Sequence, residues 1–269
     1  MNRTYWIFGI FCLWLAGSGC EEAVEWELQP GNNGQLAVEA IVTDELHLQT
    51  VELSLTFDEL NGTPRPVSGA VVSLQEEQQS IPFVELENEP GTYQSEQSFA
   101  AKPGISYRLE INWNEQLYEA ESQMVEILPI PGIEYDTIGQ DSLKIKGIGP
   151  LFDTLEQAWY EIEIDWNHLI PLDTSQAIQY FYTFSTIDVS ELIRPVSEEV
   201  AFPKGSILRI KKYALNDDYA AYLRAFLLET AWQGGVYDEN SSSLPTNISN
   251  GGGGFFAVAA VLRDTVVAE

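Results

Sequence analysis

Cysteine and histidine are almost missing from this chain of 269 residues, which has two of each: Cys12 and Cys20, His47 and His168. Basic residues are short as well, 13 lysines and arginines against 41 aspartates and glutamates. Each shortage excludes something. Cys12 sits inside an apolar leader, so a chain that has lost the leader keeps one cysteine and can form no internal disulfide. There is no cysteine–histidine set of the kind that holds zinc, no HExxH and no GxSxG. A formal charge of −28 repels phosphate backbones and anionic headgroups alike. Nucleic acid is therefore not an expected partner, and membrane residence has to come from an anchor. Acidity spread over a surface keeps an exported protein in solution.

What is present begins with the leader. MNRTYWIFGIFCLWLAGSGC carries one cation, Arg3, an apolar run from Tyr5 to Ala16, and then small residues. That is the layout of a secretory signal, too short for a permanent membrane helix. Gly17-Ser18-Gly19-Cys20 resembles the lipobox of bacterial lipoproteins, with Gly17 where that pattern usually has leucine. Cleavage after residue 19 would leave Cys20 as the first residue and the site of lipidation. An ordinary secretory signal cut near Gly19 is the competing reading. Residues 20–34 read as an acidic tether, and the carboxylates after Cys20 resemble the export signal of surface lipoproteins in Bacteroidota.

Residues 35–127 alternate with period two. Leu36–Val42, Ala70–Gln75, Tyr107–Trp113 and Leu117–Ser122 read as strands separated by turn-rich NGTPRP, NEPGTY and AKPGIS. In HLQTVELSLTF the apolar phase slips between Leu48 and Val51, which predicts a strand with a bulge at Gln49-Thr50. An antiparallel β-sandwich follows, Ig-like or transthyretin-like, with Gly91 and Tyr93 marking a strand after a turn. LPIPG interrupts the pattern, so a linker is expected over 128–133. The second domain, 134–269, is also β-rich and antiparallel: Ala158, Tyr160, Ile162, Ile164 and Trp166 share one face of a strand. Ile178–Ile187, Ser206–Tyr213 and Phe255–Val267 are further strands. One amphipathic helix is expected near 217–233, capped by Asn216 or Asp217 and stopped at Gly234-Gly235.

Chemistry is hard to find. Glu161, Glu163 and Asp165 point to one side of a strand at steps of about 7 Å, and a solvated sheet face accounts for them better than a glycosidase pair. Asp217-Asp218 and Asp238-Glu239-Asn240 could offer oxygen to calcium, but capping and turn formation explain them. The Gly251–Gly254 run has no lysine after it and leads into no helix, so it is not a phosphate loop. Lys204–Tyr213 (KGSILRIKKY) is the one basic stretch, expected to balance neighbouring acidic strands. No catalytic residue, cofactor or metal is assigned, and the chain is read as non-enzymatic.

Several segments together carry a family resemblance. They are Ala37-Val38-Glu39-Ala40 leading to Thr43-Asp44, Val67–Val72, Tyr219–Leu223, Gly234–Asp238, Asn247-Ile248-Ser249 and Gly254–Ala257. In order and spacing the chain resembles the domain of unknown function 4249 family of Bacteroidota outer-membrane lipoproteins. The resemblance implies a lipid-anchored, non-catalytic protein of the outer membrane facing the cell exterior, acting as accessory or substrate-binding partner of a TonB-dependent transporter in nutrient uptake. A stand-alone glycan-binding or adhesin module, with Trp113, Trp159 and Trp232 as stacking candidates, is the alternative.

Overall fold

The computed structural model describes residues 34–56, 63–170, 175–186, 200–231 and 244–269. Cys20 and the expected tether up to Asn33, and Trp232 to Asn240 with Gly234-Gly235, lie outside them. The described chain is mainly β, as its alternation requires. Strands of the first half are β1 (Leu36–Thr43), β2 (Thr50–Leu55), β3 (Arg65–Pro66), β4 (Val71–Glu76), β5 (Gln79–Leu86), β6 (Glu89–Ser95), β7 (Ser106–Trp113) and β8 (Gln116–Gln123). The second half holds β9 (Ile133–Ile138), β10 (Ser142–Ile148), β11 (Gln157–Asp165), β12 (Gln176–Thr183), β13 (Phe202–Pro203), β14 (Ile207–Leu215), helix α1 (Asp217–Glu229), β15 (Gly253–Ala259) and β16 (Val261–Val267).

The first eight strands and β15 form one sheet in the order β15-β1-β2-β6-β5-β4-β7-β8, with β3 beside β2. The sheet curls until its two ends meet, and side chains bridge the seam. Asn247 donates to Phe256 O and Glu121 O and accepts from Phe256 N–H. The Ser122 hydroxyl accepts from Val258 N–H, and Ser249 pairs with the backbone of Glu119. Inside lies one apolar core, from Leu36, Val38, Leu74, Tyr107, Leu109 and Phe256 among others. Tyr93 fixes a turn from within it: its hydroxyl donates to Val67 O at 2.9 Å and accepts from Ala70 N–H at 3.0 Å.

The second sandwich faces β12-β11-β14-β16 with β13-β10-β9. Ala158, Tyr160, Ile162 and Ile164 of β11 point inward with Leu208 and Ile210, against Leu143, Ile145 and Phe202. The inward face is as the alternation predicts. Elsewhere the expected elements shift. Leu46 and Leu48 are exposed in a turn, and β2 begins only at Thr50, because the Gln49 side chain is buried as a polar knot. Its amide accepts from Thr43 N–H and donates to the carbonyls of Thr43, Glu45 and Phe99. What periodicity reads as a bulge is a chain reversal held by one glutamine.

The single strand expected over Phe255–Val267 is two. β15 runs parallel to β1 in the first sheet, and after Ala260 the chain continues as β16 beside β14 in the second. The C-terminal residues therefore complete the sandwich that the first half of the chain began. Gly254 makes this possible: at φ +78, a Cβ there would run into the Val38 carbonyl of β1. Replacing it, Gly254→Ala, should push β15 off β1 and cost about 3 kcal/mol of stability. Gly253→Ala, which meets nothing nearer than Leu36 O at 4.0 Å, should be close to neutral. Paired urea denaturation curves make the comparison.

Candidate functional site

The joint between the two sandwiches gathers the polar chemistry of the described chain. It begins at the turn after β1. Asp44 accepts from Val261 N–H at 2.9 Å, where β16 leaves the first sheet. Burial pushes its carboxyl above the ordinary range, although that hydrogen bond acts in the opposite sense. Beside it Glu45 takes a bidentate contact from Arg263 and lies 3.7 Å from Lys211. The Arg263 guanidinium holds the Glu45 carboxyl below its usual value.

On the other side Asn216 does two jobs. Its Oδ1 accepts from Tyr219 N–H and caps α1, while its Nδ2 donates to Ser122 Oγ and Gln123 O at the end of β8. The helix then lies in the angle between the sandwiches, packing Tyr219, Ala220, Leu227 and Leu228 against Phe255, Ala257, Phe184 and Leu215. Tyr219 and Tyr222 stack on Phe255 at centroid distances of 5.3 and 5.0 Å. The helix ends at Glu229, before the expected Gly234, with Thr230 at its C-cap.

A buried ion pair holds the linker. Lys212 is 0% exposed on the inner face of β14. Its ammonium donates to Glu156 Oε2 at 2.6 Å and to the carbonyls of Leu128 and Pro129 at 3.0 and 3.4 Å. Glu156 Oε1 accepts the Leu128 N–H at 2.6 Å. All three ammonium protons thus have an acceptor, as a buried lysine requires. Alternation in KGSILRIKKY puts Lys212 in phase with Leu208 and Ile210, and that phase was the signal for a buried cation.

Next to this pair a cleft of about 260 Å³ opens, lined by Glu126, Thr154, Leu155, Gln157, Asn216 and Asp217 among others. Gln157 donates to Asp217 and accepts from Ser185, which sets the floor of the cleft. Leu155, at 86% exposure, gives the rim an apolar lip. Uncharged donors, the three carboxylates of Glu126, Glu156 and Asp217, and an apolar lip suit contact with a small polar group or a partner loop.

The residues singled out from sequence lie mostly elsewhere. His47 bonds Thr43 Oγ1 and Leu48 O, and His168 bonds Gly205 O at the far end of the second sandwich. Glu163 and Asp165 share Arg209, so the basic stretch does balance its acidic neighbours. Trp159 stacks on Tyr213 at 4.4 Å, and Trp113 packs against the first core. Asp217 bonds Gln157, and among the described residues no three His, Cys, Asp or Glu side chains converge as a metal site. Asp44, Asn216, Lys212 and Glu156 were not marked as a group in the sequence.

Fold and joint define the class: a tandem of two β-sandwiches locked by a shared strand, a wedged helix and a buried ion pair. The chain belongs to the family described as domain of unknown function (DUF4249), whose model matches residues 21–265. No match is found among the curated proteins. Among solved structures, the FN1–FN3 domains of chicken CNTN1 are similar at 11% identity and a TM-score of 0.29, over 68% of this chain and 61% of that one.

Two outcomes are expected at the joint. Lys212→Ala strands the buried Glu156 carboxylate and two carbonyls, and should cost about 3–5 kcal/mol in chemical denaturation, with Lys212→Met and Glu156→Leu combined recovering much of it. Glu45 has a lowered folded pKa, so it adds stability above its unfolded value near 4.5 that is lost as pH falls through the folded one. Glu45→Gln should therefore lower stability at pH 7 and flatten the decline in acid. Unfolding midpoints measured from pH 7 to pH 3 test the sign.

Proposed function

We propose that this protein is a lipid-anchored, surface-exposed lipoprotein of the outer membrane, held by acyl chains on Cys20. It serves as a non-catalytic accessory or substrate-binding partner of a TonB-dependent transporter in nutrient uptake. The direction of the chain is the observation that carries the reading. β1 begins at the end of the first sandwich remote from the joint, where Gly34 N–H bonds Thr56 O, and finishes at Asp44 beside β16. A tether ahead of Gly34 joins the first sandwich at the end opposite the joint, which leaves the joint and the second sandwich clear of the attachment point. A contact surface built on a locked joint suits a partner protein better than a reaction centre does. Two or more acyl chains hold a protein stably where one does not.

The alternative is a stand-alone glycan-binding or adhesin module. It is favoured by Tyr180, which stands half exposed beside Trp159 on the open face of the second sandwich.

Cys20→Ala should move the protein from the membrane to the soluble fraction on cell fractionation; continued membrane residence removes the anchor from the reading. Affinity purification from native membranes in mild detergent should bring down a large β-barrel. Recovery of the lipoprotein alone, together with binding on a glycan array, transfers support to the alternative.

A further inference from the structure

Strand edges differ sharply in this fold. β9 carries Glu134 and Asp136, β16 carries Arg263 and Asp264, and β13 ends in Pro203. Charges and proline of this kind keep an edge from pairing with another chain. The ends of the first sheet, β8 and β15, meet across their seam. Among the described residues β12 has no such guard along Gln176–Thr183, and a bridge to Phe152 comes only at Phe184, just past its end. Its sequence, QAIQYFYT, holds no charged residue, no proline and no glycine, in a chain of formal charge −28. Among the described residues it pairs with β11 alone.

The side chains on β12 add a second observation. Ile178 and Tyr180 point to the open face at 55% and 50% exposure, while Gln179, opposite Ile162, points to the core side. The Gln179 Oε1 atom is buried with no hydrogen-bond partner. An unpaired buried acceptor costs about 1–3 kcal/mol, and a donor supplied from outside would recover it.

We propose that β12 is a self-pairing edge: two copies of this chain join β12 to β12 in antiparallel register centred on Gln179, giving one continuous sheet across the dimer. This rests on β12 and is independent of the anchored-partner reading. The register is self-complementary. Centred on residue 179, Ile178 of one copy opposes Tyr180 of the other on the open face, an aromatic–β-branched pair of the stabilising kind. On the core side Ala177 opposes Phe181, small against large. The two Gln179 amides face each other across the axis, and each side-chain NH2 can donate to the other copy's Oε1. No like charges on the paired strands are brought together.

The test uses the full chain purified in mild detergent. Sedimentation should give twice the chain mass, and Ile178→Lys, at an exposed position that leaves the monomer's thermal unfolding unchanged, should weaken association at least about tenfold. Register is read by disulfide trapping. Ile178→Cys chains mixed with Tyr180→Cys chains should cross-link in higher yield than either variant alone, with the parent chain carried alongside to account for Cys20. A monomer at every concentration, a dimer indifferent to Ile178→Lys, or equal cross-linking in all three mixtures would each overturn the proposal. A monomer that captures a foreign extended peptide at β12 would overturn it too, and reassign the edge to another partner.

Discussion

One extended segment belongs to two sheets, and most of the architecture follows from that. From Gly253 to Val267 the chain runs roughly 50 Å at the ordinary strand rise, hydrogen-bonded to β1 over its first half and to β14 over its second. A strand shared in this way transmits direction, because twisting one sandwich against the other would break a ladder on one side of Ala260. The neighbouring contacts reinforce the point of transfer. Ala214 N–H donates to Ala260 O, and Asp44 accepts the next amide along. The helix fills the angle that remains, and its tyrosines stack on Phe255 of the same segment.

The few cations of an acidic chain are placed where they constrain geometry. Lys212 ties the linker to the second sandwich from inside, while Arg263 and Lys211 tie the β1 turn to it from outside. Arg209 sits between Glu163 and Asp165 on the open face, where solvent weakens the pairs. Burial separates these roles. The exposed pairs relieve repulsion among carboxylates, whereas the buried pair decides where residues 128 and 129 can lie, since moving them would strip the buried ammonium of two of its three acceptors.

Much of the fold was legible because period-two alternation reports which face is buried. β1, β4, β7, β8, β11 and β14 fall where the pattern predicts, to within a residue or two at their ends. β5 and β6 were harder to see, since Pro82, Pro90 and Gly91 look like turn residues when read locally. Gln49 misled for a similar reason: a glutamine between apolar residues looks like a slipped phase, and only its three carbonyl partners reveal a reversal. The joint was visible only in pieces. Thr43-Asp44, Asn247-Ile248-Ser249 and Gly254–Ala257 stood out as family segments, but nothing in their spacing said that they meet. Asn247 and Phe256 close a seam, and Asp44 receives β16 across more than 200 positions of chain.

Sequence alone settled the β class, the two inward faces, the helix with its cap at Asn216 or Asp217, and the family. Each of these depends on neighbours within a few residues, or on an order of segments that can be read along a line. Which sheet each strand joins was decided only in three dimensions. Alternation says that a strand has an inside and an outside and is silent about its edges, so the transfer of the C-terminal strand between sheets, the burial partners of Lys212 and the unguarded edge of β12 came from pairing that the sequence does not encode locally.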